Sequence, residues 1–254
     1  MSEPRIVTAA VLIIGNEILS GRTRDVNLAY LAAGLTELGI RLREARVVAD
    51  VEADIVRAVN ECRARYDYVF TTGGIGPTHD DITAECVAKA FGLKLIRHPE
   101  AVARLERHYE PGMLNEARLR MANTPEGAIL VDNPVSTAPG FQIGNVFVLA
   151  GVPSIMQAMF DGLKPRLAGG APVLSRTVSA FVGEGTIAPG LGELQQRYPD
   201  LDIGSYPFFR GGKYGASFVL RGTETARIDG AATELRTLIV SLGADPIEGE
   251  PAGR

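Results

Sequence analysis

The sequence predicts a two-domain α/β protein, in which a mostly parallel sheet between two layers of helices precedes a small α+β domain. Three observations predict this fold class. Short apolar runs that suit buried strands alternate with segments of helical spacing as far as about residue 167. A stretch of Gly, Ala and Pro at 168–172 then indicates a linker. Beyond it the order of elements changes to β-α-β-β-α, so we expect the domains to cover residues 1–170 and 171–254.

The first four elements set the α/β pattern. Residues 7–15 (VTAAVLIIG) form a continuous apolar run, which is typical of a parallel strand buried on both faces. The segment 27–38 carries leucines at helical spacing and ends before Gly39, which favours a C-terminal helix cap. A strand at 41–48 and a helix at 51–66 follow. Strands that alternate with helices need crossover connections, and these predict a parallel sheet with helices on both faces.

The remaining elements follow in the same way. In the first domain we predict strands at 67–72, 93–96 and 128–131, a hairpin over 141–149, and helices at 83–91, at 99–121 with an interruption at Pro111-Gly112, and at 153–167. In the second domain we predict strands at 173–182, 202–207 and 214–221, and helices at about 188–198 and at 223–242. The second set forms one small α+β sandwich.

The composition argues against several classes of partner. The 254 residues are 46% hydrophobic and 22% charged, which is typical of a globular protein. A net charge of −4 disfavours binding to nucleic acids, which depends on Lys and Arg. The Gly-x-x-Gly at 212–215 joins two predicted strands, so we interpret it as a hairpin turn and not as an RNA-binding loop. Residues 1–7 lack the features of a signal peptide, and no apolar run has the roughly 18 residues of a membrane helix. We therefore expect a cytoplasmic protein without a nucleic-acid or membrane partner.

The loop after the strand at 67–72 carries most of the chemistry. It reads TGGIGPTHDD from Thr72 to Asp81 and leads into a helix. The glycines allow a sharp turn and the close approach of a ligand, and a helix N-terminus binds phosphate through free N–H groups. In open α/β sheets, ligands bind at the carboxyl ends of the strands. The pattern matches neither a Walker loop nor a dinucleotide fingerprint. The phosphate-binding residues that we predict in this loop are Thr72, Gly73, Gly74, Gly76, Pro77 and Thr78.

The two carboxylates that end this loop indicate a metal ion. Asp80 and Asp81 would repel a phosphate unless a cation lay between them and the ligand. Glu85, one helical turn further on, is a third candidate ligand for this divalent metal. The alternative is that one of these carboxylates, or Thr83, only caps the helix.

The loop after the first strand should lie on the same edge of the sheet. It reads Gly15-Asn16-Glu17, and Asp25 and Asn27 follow just before the next helix. Glu17 is either a functional group of the site or a residue of a solvated loop, and Asp25 is a candidate helix cap. The spacing alone does not decide between these alternatives.

Five motifs together resemble the molybdopterin-binding domain of the CinA-type competence/damage-inducible proteins. They are GNEILSG at 15–21, DVN at 25–27, TGGIGPTHDD at 72–81, APGF at 138–141 and GVPS at 151–154. The resemblance covers about residues 5–168 and implies a three-layer αβα fold, shared with MogA- and MoaB-type adenylyltransferases. Residues 172–254 resemble the small KH-like domain of CinA proteins. No residues are left for the deamidase domain that usually follows, so we do not expect deamidation.

The resemblance implies a set of site residues. Gly15, Asn16, Gly140, Gly151, Pro153 and Ser154 join the ligand-binding positions of the loop. Asp81, Asp80 and Glu17 are the implied catalytic residues, and Asp80, Asp81 and Glu85 are the candidate metal ligands. Asn16 stands where an aspartate is common, which removes one carboxylate from the pattern.

The resemblance also implies an activity. We expect a metal-dependent pyrophosphatase that acts on an ADP-ribose- or FAD-like nucleotide with Mg²⁺, Mn²⁺, Co²⁺ or Ni²⁺; K⁺ and molybdopterin are further candidate cofactors. The alternatives are a molybdopterin-binding or adenylyl-transferring protein of cofactor biosynthesis, and a regulator that binds a nucleotide without turnover. We expect a homo-oligomer, a dimer or trimer, that associates through the helical segment 99–121 of the first domain.

Overall fold

The computed structural model describes residues 6–251, which divide into two compact units between Ala171 and Pro172. The boundary predicted from the sequence lies one residue earlier. Most of the polar N-terminal segment at 1–7 is outside the described residues, which begin at Ile6. In the described part of the chain, no helix is long and apolar enough to cross a membrane.

The first unit contains eight strands and seven α-helices in its described residues. The strands are β1 Val7–Ile14, β2 Ile40–Val48, β3 Tyr68–Thr72, β4 Leu95–Arg97, β5 Asn123–Pro125, β6 Ile129–Val131, β7 Gly140–Ile143 and β8 Val146–Leu149. The helices are α1 Asn16–Leu19, α2 Asn27–Glu37, α3 Glu52–Arg65, α4 Thr83–Phe91, α5 Pro99–His108, α6 Glu116–Leu119 and α7 Pro153–Leu163.

A six-stranded sheet in the order β2-β1-β3-β8-β7-β6 forms the centre of this unit. Its first four strands run parallel, and β7 runs opposite to them because it pairs antiparallel with both β8 and β6. Strand β1 shows why the sheet is buried on both faces. Val11 and Ile13 belong to one hydrophobic core, and Leu12 and Ile14 belong to a second core on the opposite face. The predicted, mostly parallel three-layer fold is therefore confirmed.

The strand order places a switch point beside β1. The chain passes from β1 through α2 to β2 on one side, and from β2 through α3 to β3 on the other side of β1. Helices α2 and α7 pack on one face of the sheet, and α3 and α4 on the other. The connections therefore separate at the carboxyl ends of β1 and β3, where ligands bind in open sheets of this kind.

The predicted interruption of the helical segment 99–121 is confirmed, although the non-helical stretch is longer than expected. Helix α5 ends at His108 and α6 starts only at Glu116, after an N-cap in which Asn115 accepts a hydrogen bond from the Arg118 N–H at 3.0 Å. Pro111 lacks the N–H that a helix needs, and Gly112 has a φ of 84°. The short strand β5 and its antiparallel pairing with β4 were not predicted, and neither was α1.

The second unit has the predicted order of elements. These are β9 Leu174–Ala180, α8 Glu184–Arg197, β10 Asp202–Arg210, β11 Lys213–Gly222, α9 Thr225–Ser241 and an additional short strand, β12 Ile247–Glu248. The strands form an antiparallel sheet in the order β10-β11-β9-β12. Gly211 and Gly212, both with positive φ, make the turn between β10 and β11. The segment at 212–215 is therefore part of a hairpin, as predicted.

Candidate functional site

A cavity of about 530 Å³ lies at the carboxyl ends of the parallel strands. The loops after β1, β3 and β8 form three of its walls, and the loops after β2 and β6 complete it. Eleven residues predicted from the sequence line this pocket: Gly15, Glu17, Gly73, Gly74, Gly76, Pro77, Thr78, Asp80, Asp81, Gly151 and Pro153. Strands and loops far apart in the chain thus converge on one site.

Four other predicted residues lie outside the lining of the pocket. Thr72 and Gly140 are buried within strands, and a Cβ atom on Gly140 would come within 2.2 Å of the Val148 carbonyl oxygen. Asn16 and Ser154 are exposed. Gly140 therefore has a packing role, because it allows β7 and β8 to lie close together.

Glu85 is also outside the pocket. Its carboxylate lies 3.1 Å from the Lys89 ammonium group, one turn along α4. Among residues 6–251 there is no group of three His, Cys, Asp or Glu side chains that could hold a metal ion. The predicted set of Asp80, Asp81 and Glu85 is therefore not brought together, because the helix directs Glu85 toward Lys89 and away from the loop.

Two glycines shape the floor of the pocket. Gly73 and Gly74 have φ angles of 99° and 68°, a region that side chains rarely allow. A Cβ atom on Gly73 would lie 2.2 Å from the Ile14 carbonyl oxygen, and one on Gly74 would lie 2.1 Å from the Thr83 hydroxyl. Only glycine permits the backbone after β3 to pass this close to the end of β1.

Thr83 fastens the start of α4 to this turn. Its side chain is fully buried, and its hydroxyl donates a hydrogen bond of 3.0 Å to the Gly73 carbonyl. Its backbone N–H donates to the Gly74 carbonyl, also at 3.0 Å. The hydroxyl thus bonds to the loop and not to a helix N–H, so the alternative that Thr83 caps the helix is wrong.

Asp81 organises the other end of the loop. Its Oδ2 atom accepts two hydrogen bonds from Thr78, one from the backbone N–H at 2.8 Å and one from the hydroxyl at 2.5 Å. A Cβ atom on Gly76 would lie 2.6 Å from the same oxygen. Arg120 donates to the backbone carbonyl of Asp81 at 3.4 Å. The carboxylate therefore closes a tight turn at the mouth of the pocket.

Asp80 is more open to solvent than its neighbour. Its side chain is 60% exposed, and it lies 4.0 Å from His79, whose side chain is 96% exposed. The Thr78 side chain, the backbone and the charges of His79 and Arg120 hold the pKa of the Asp80 carboxyl below its usual range. Asp80 is therefore ionised at neutral pH and faces the pocket with a full negative charge.

A second pair of carboxylates, Glu17 and Asp50, also lines the pocket. Glu17 belongs to the short helix α1 and not to a loop, and Asp50 follows β2. Asp50 accepts a hydrogen bond of 2.8 Å from the Asn16 N–H, which joins the ends of β1 and β2. Asp50 was not predicted, although the adjacency of these two strands could have identified it.

The loop between β6 and β7 adds a neutral polar wall, of which the sequence motifs indicated only Ala138. Asn133 accepts hydrogen bonds from the N–H groups of Val135 and Ser136, both at 3.0 Å. It donates to the Ser136 hydroxyl at 2.7 Å and to the Ala138 carbonyl at 2.8 Å. Asn133, Ser136 and Ala138 all line the pocket. The neighbouring motif at 138–141 is the only sequence signal that pointed to this loop.

Asn27 links two of the motifs away from the cavity itself. The side chain is buried, and its Nδ2 donates a hydrogen bond of 2.8 Å to the Gly151 carbonyl. Its Oδ1 has no hydrogen-bond partner among the described residues. Asp25 accepts a hydrogen bond from the Leu28 N–H at 3.0 Å, which confirms that it caps the start of α2.

Comparison with known proteins gives the same picture of the chain. Residues 10–169 match the family model described as a probable molybdopterin binding domain, and residues 172–243 match the model of the FAD synthase middle domain. A protein from Pyrobaculum calidifontis is 39% identical over 211 residues, which cover 79% of this chain and 80% of that protein.

Two of the similar proteins are described as CinA. The crystal structure of the protein CinA with unknown function from Thermoplasma acidophilum is 36% identical, with a TM-score of 0.60, and the match covers 63% of this chain and 98% of that one. A CinA-like protein from Desulfosudis oleivorans is 36% identical over 219 residues, which cover 77% of this chain but only 53% of that protein.

Proposed function

The chain belongs to the family of probable molybdopterin binding domains, in a CinA-type arrangement, and from this premise we propose that its pocket binds a phosphate-bearing pterin or nucleotide. The single observation that carries the proposal is the glycine turn after β3. Gly73 and Gly74 form the floor of the pocket, where the lack of side chains lets a ligand approach the backbone closely. A phosphate group fits such a turn, because backbone N–H groups and the start of α4 favour negative charge.

Other residues of the lining favour a polar ring system. The Ser136 hydroxyl, positioned by Asn133, offers a hydrogen-bonding group, and Ile155 and Met121 offer apolar surface. Ligand pockets combine mostly apolar walls with a few placed polar groups that fix orientation. A pterin or a nucleobase has this combination of flat apolar faces and hydrogen-bonding edges.

Calorimetric titration of the full chain tests this proposal. The ligands are molybdopterin, ADP-ribose, FAD, NAD and ATP, each with and without Mg²⁺. In the titrations with Mg²⁺, we expect Asp81→Asn to weaken binding of the accepted ligand at least roughly tenfold. The matched control is Glu85→Gln, which removes a nearby carboxylate outside the pocket and should leave affinity unchanged. Equal effects of the two variants would refute the placement of the site.

Metal-dependent cleavage of a pyrophosphate bond is a second candidate function. The observation that favours it is the charge of the walls, because Glu17, Asp50, Asp80 and Asp81 all line the pocket. A phosphate ligand would be repelled by four carboxylates unless a cation came with it.

The residues fit one mode of metal binding. Mg²⁺ commonly uses one or two carboxylates together with phosphate oxygens and water, so the lack of a three-residue cluster in the described part of the chain is compatible with it. Asp80 and Asp81 would hold the ion. When bound, such a metal polarises phosphate oxygens and lowers the pKa of a coordinated water. Glu17 also lines the pocket, and its carboxylate would be the proton acceptor.

Release of AMP distinguishes the two functions. ADP-ribose and FAD are incubated with Mg²⁺, Mn²⁺, Co²⁺ or Ni²⁺, and AMP is measured by chromatography. Turnover that is lost in Asp81→Asn and in Glu17→Gln but kept in Glu85→Gln would support hydrolysis. Tight binding without release of AMP would indicate that the protein binds the nucleotide and does not cleave it. Molybdopterin with ATP is included, because formation of an adenylylated pterin would indicate adenylyl transfer.

A further inference from the structure

The exposed aromatic side chains of the described residues are concentrated in the second unit. Phe181, Tyr206, Phe209 and Tyr214 are each more than 40% exposed, and Tyr214 reaches 76%. All four lie on or beside the hairpin of β10 and β11. The other Phe and Tyr side chains of the described chain are buried or half-buried. Tyr, Phe and Arg are enriched at protein interfaces, so this region has the composition of a contact surface.

The rings form pairs on both faces of the hairpin. Phe209 and Tyr214 are opposite each other in the ladder, with ring centroids 4.7 Å apart. On the other face, Phe181 and Phe208 are 5.5 Å apart. Adding a Cβ to Gly215 would bring it within 2.5 Å of the Phe208 ring, so this glycine makes room for that ring. These ring contacts therefore hold the aromatic side chains in fixed positions.

Strand β10 is also an open edge of its sheet. It pairs with β11 over all nine residues from Asp202 to Arg210, and no other described strand pairs with it. A long edge strand with apolar side chains is a template for another strand unless charges or bulges protect it. Within β10, Pro207 has no N–H to donate, and the charged residues, Asp202 and Arg210, lie only at the two ends.

The sequence of β10 is complementary to itself when reversed. In an antiparallel pair of two β10 strands centred on Tyr206, Asp202 of one copy lies opposite Arg210 of the other, so opposite charges meet at both ends. Ile203 lies opposite Phe209. Gly204 lies opposite Phe208. The Tyr206 ring of the same copy fills part of the space beside Gly204. Residues directly opposite share a face and touch, so this register pairs charge with charge and apolar with apolar.

We propose that two copies of this chain associate through their β10 strands about a two-fold axis at Tyr206, which joins two four-stranded sheets into one of eight. The aromatic pairs flank the axis and supply apolar contact area. In this register, Pro207 of one copy lies opposite Ser205 of the other. Because Pro207 has no N–H, the ladder lacks hydrogen bonds at this position, and side-chain contacts contribute a larger share of the association free energy. This inference is independent of the ligand pocket, and it places the contact in the second unit and not in the segment 99–121.

Sedimentation equilibrium of the full chain with a charge-swap set tests the proposal. The wild type is expected to be a dimer at tens of micromolar. Asp202→Arg and Arg210→Asp each turn two symmetry-related attractions into repulsions, so each should raise the dimer dissociation constant by roughly tenfold. The double variant, Asp202→Arg with Arg210→Asp, restores opposite charges and should return the constant to near the wild-type value.

The swap separates the contact between copies from contacts within one copy. Asp202 lies 3.6 Å from Arg221 of its own chain, and this pair is lost in Asp202→Arg and in the double variant but kept in Arg210→Asp. Recovery in the double variant therefore reports the pair between copies. Val240→Lys on α9 and Met113→Lys in the segment 99–121, both at exposed apolar positions, are controls that should leave the dimer intact. A wild-type monomer, a dimer that the single swaps do not weaken, or a loss of the dimer in Met113→Lys alone would overturn the proposal.

Discussion

The Asp81 carboxylate and Thr78 hold each other through two hydrogen bonds, one at 2.8 Å to the backbone N–H and one at 2.5 Å to the hydroxyl. Together they close the turn that follows Gly73 and Gly74 on the wall of the pocket. The same carboxylate is the strongest candidate for ligand or metal binding. Its geometry is therefore set before any ligand arrives, which lowers the cost of ordering the loop on binding.

Replacing Asp81 with Asn should separate its two roles. Asn keeps the shape and one carbonyl acceptor, so we expect a loss of only about 1 kcal/mol in the free energy of unfolding. The negative charge is lost, so binding of metal and of the metal–ligand complex should fall at least roughly tenfold. Urea denaturation and calorimetry measure the two effects. Unchanged affinity in a folded variant would remove Asp81 from the site.

The glycine turn makes a prediction with an internal control. Gly74→Ala places a Cβ 2.1 Å from the Thr83 hydroxyl at a φ of 68°, so we expect at least about 2 kcal/mol of destabilisation and the loss of ligand binding. Gly92 has nearly the same φ of 66°, but a Cβ there would meet no atom within 4 Å. Gly92→Ala should therefore cost only about 1 kcal/mol and leave binding unchanged. Similar losses for both variants in urea titrations would contradict the steric argument.

The two cysteines should be unreactive in the native protein. Burial raises the pKa of the Cys86 thiol to about 12 and raises that of Cys62 as well. Only thiolates react rapidly, so a chromogenic disulfide at pH 8 should label both cysteines in urea and neither in buffer. The raised thiol pKa contributes to the free energy of unfolding, and this contribution is present in full at pH values below about 8.5, the pKa of a cysteine in the unfolded chain. It should decline as the pH rises from there toward 12. Fast labelling of native protein would contradict the burial of these side chains.

The first unit alone should bind the ligand. All residues that line the pocket precede the boundary between Ala171 and Pro172. A truncated chain that ends at Ala171 is therefore expected to fold and to bind within about threefold of the full-length affinity. The circular dichroism spectrum checks its fold. A loss of more than tenfold, about 1.4 kcal/mol, with the fold intact would show that the second unit contributes to the site.

The sequence was a good guide to the elements that are continuous in the chain. Strand β1 and helix α2 were predicted well, because an apolar run and a glycine after a helical pattern are local signals. The interruption of the helical segment 99–121 was predicted at Pro111 and Gly112, but α5 ends earlier, at His108, and β5 was not predicted. Short strands such as β5 depend on a partner strand, and their own residues contain little information.

The site was predicted only in part for a related reason. Gly73, Gly74 and Asp81 belong to one motif, and their shared loop could be identified directly. Asp50 and Asn133 come from other segments, and only the order of the strands brings them to the pocket. Glu85 was assigned to the metal from its spacing on a helix, but the ion pair with Lys89 directs it elsewhere.

Hydrogen exchange of the full chain, with and without the tightest-binding member of the ligand panel, tests the central claim most directly. The claim is that the glycine turn and the loops beside it hold the ligand. We predict that bound ligand slows exchange in the segments 73–81 and 151–155 and leaves the strands of the second unit unchanged. Protection confined to other parts of the chain, or no binding by any pterin or nucleotide of the panel with or without metal, would contradict the proposed function.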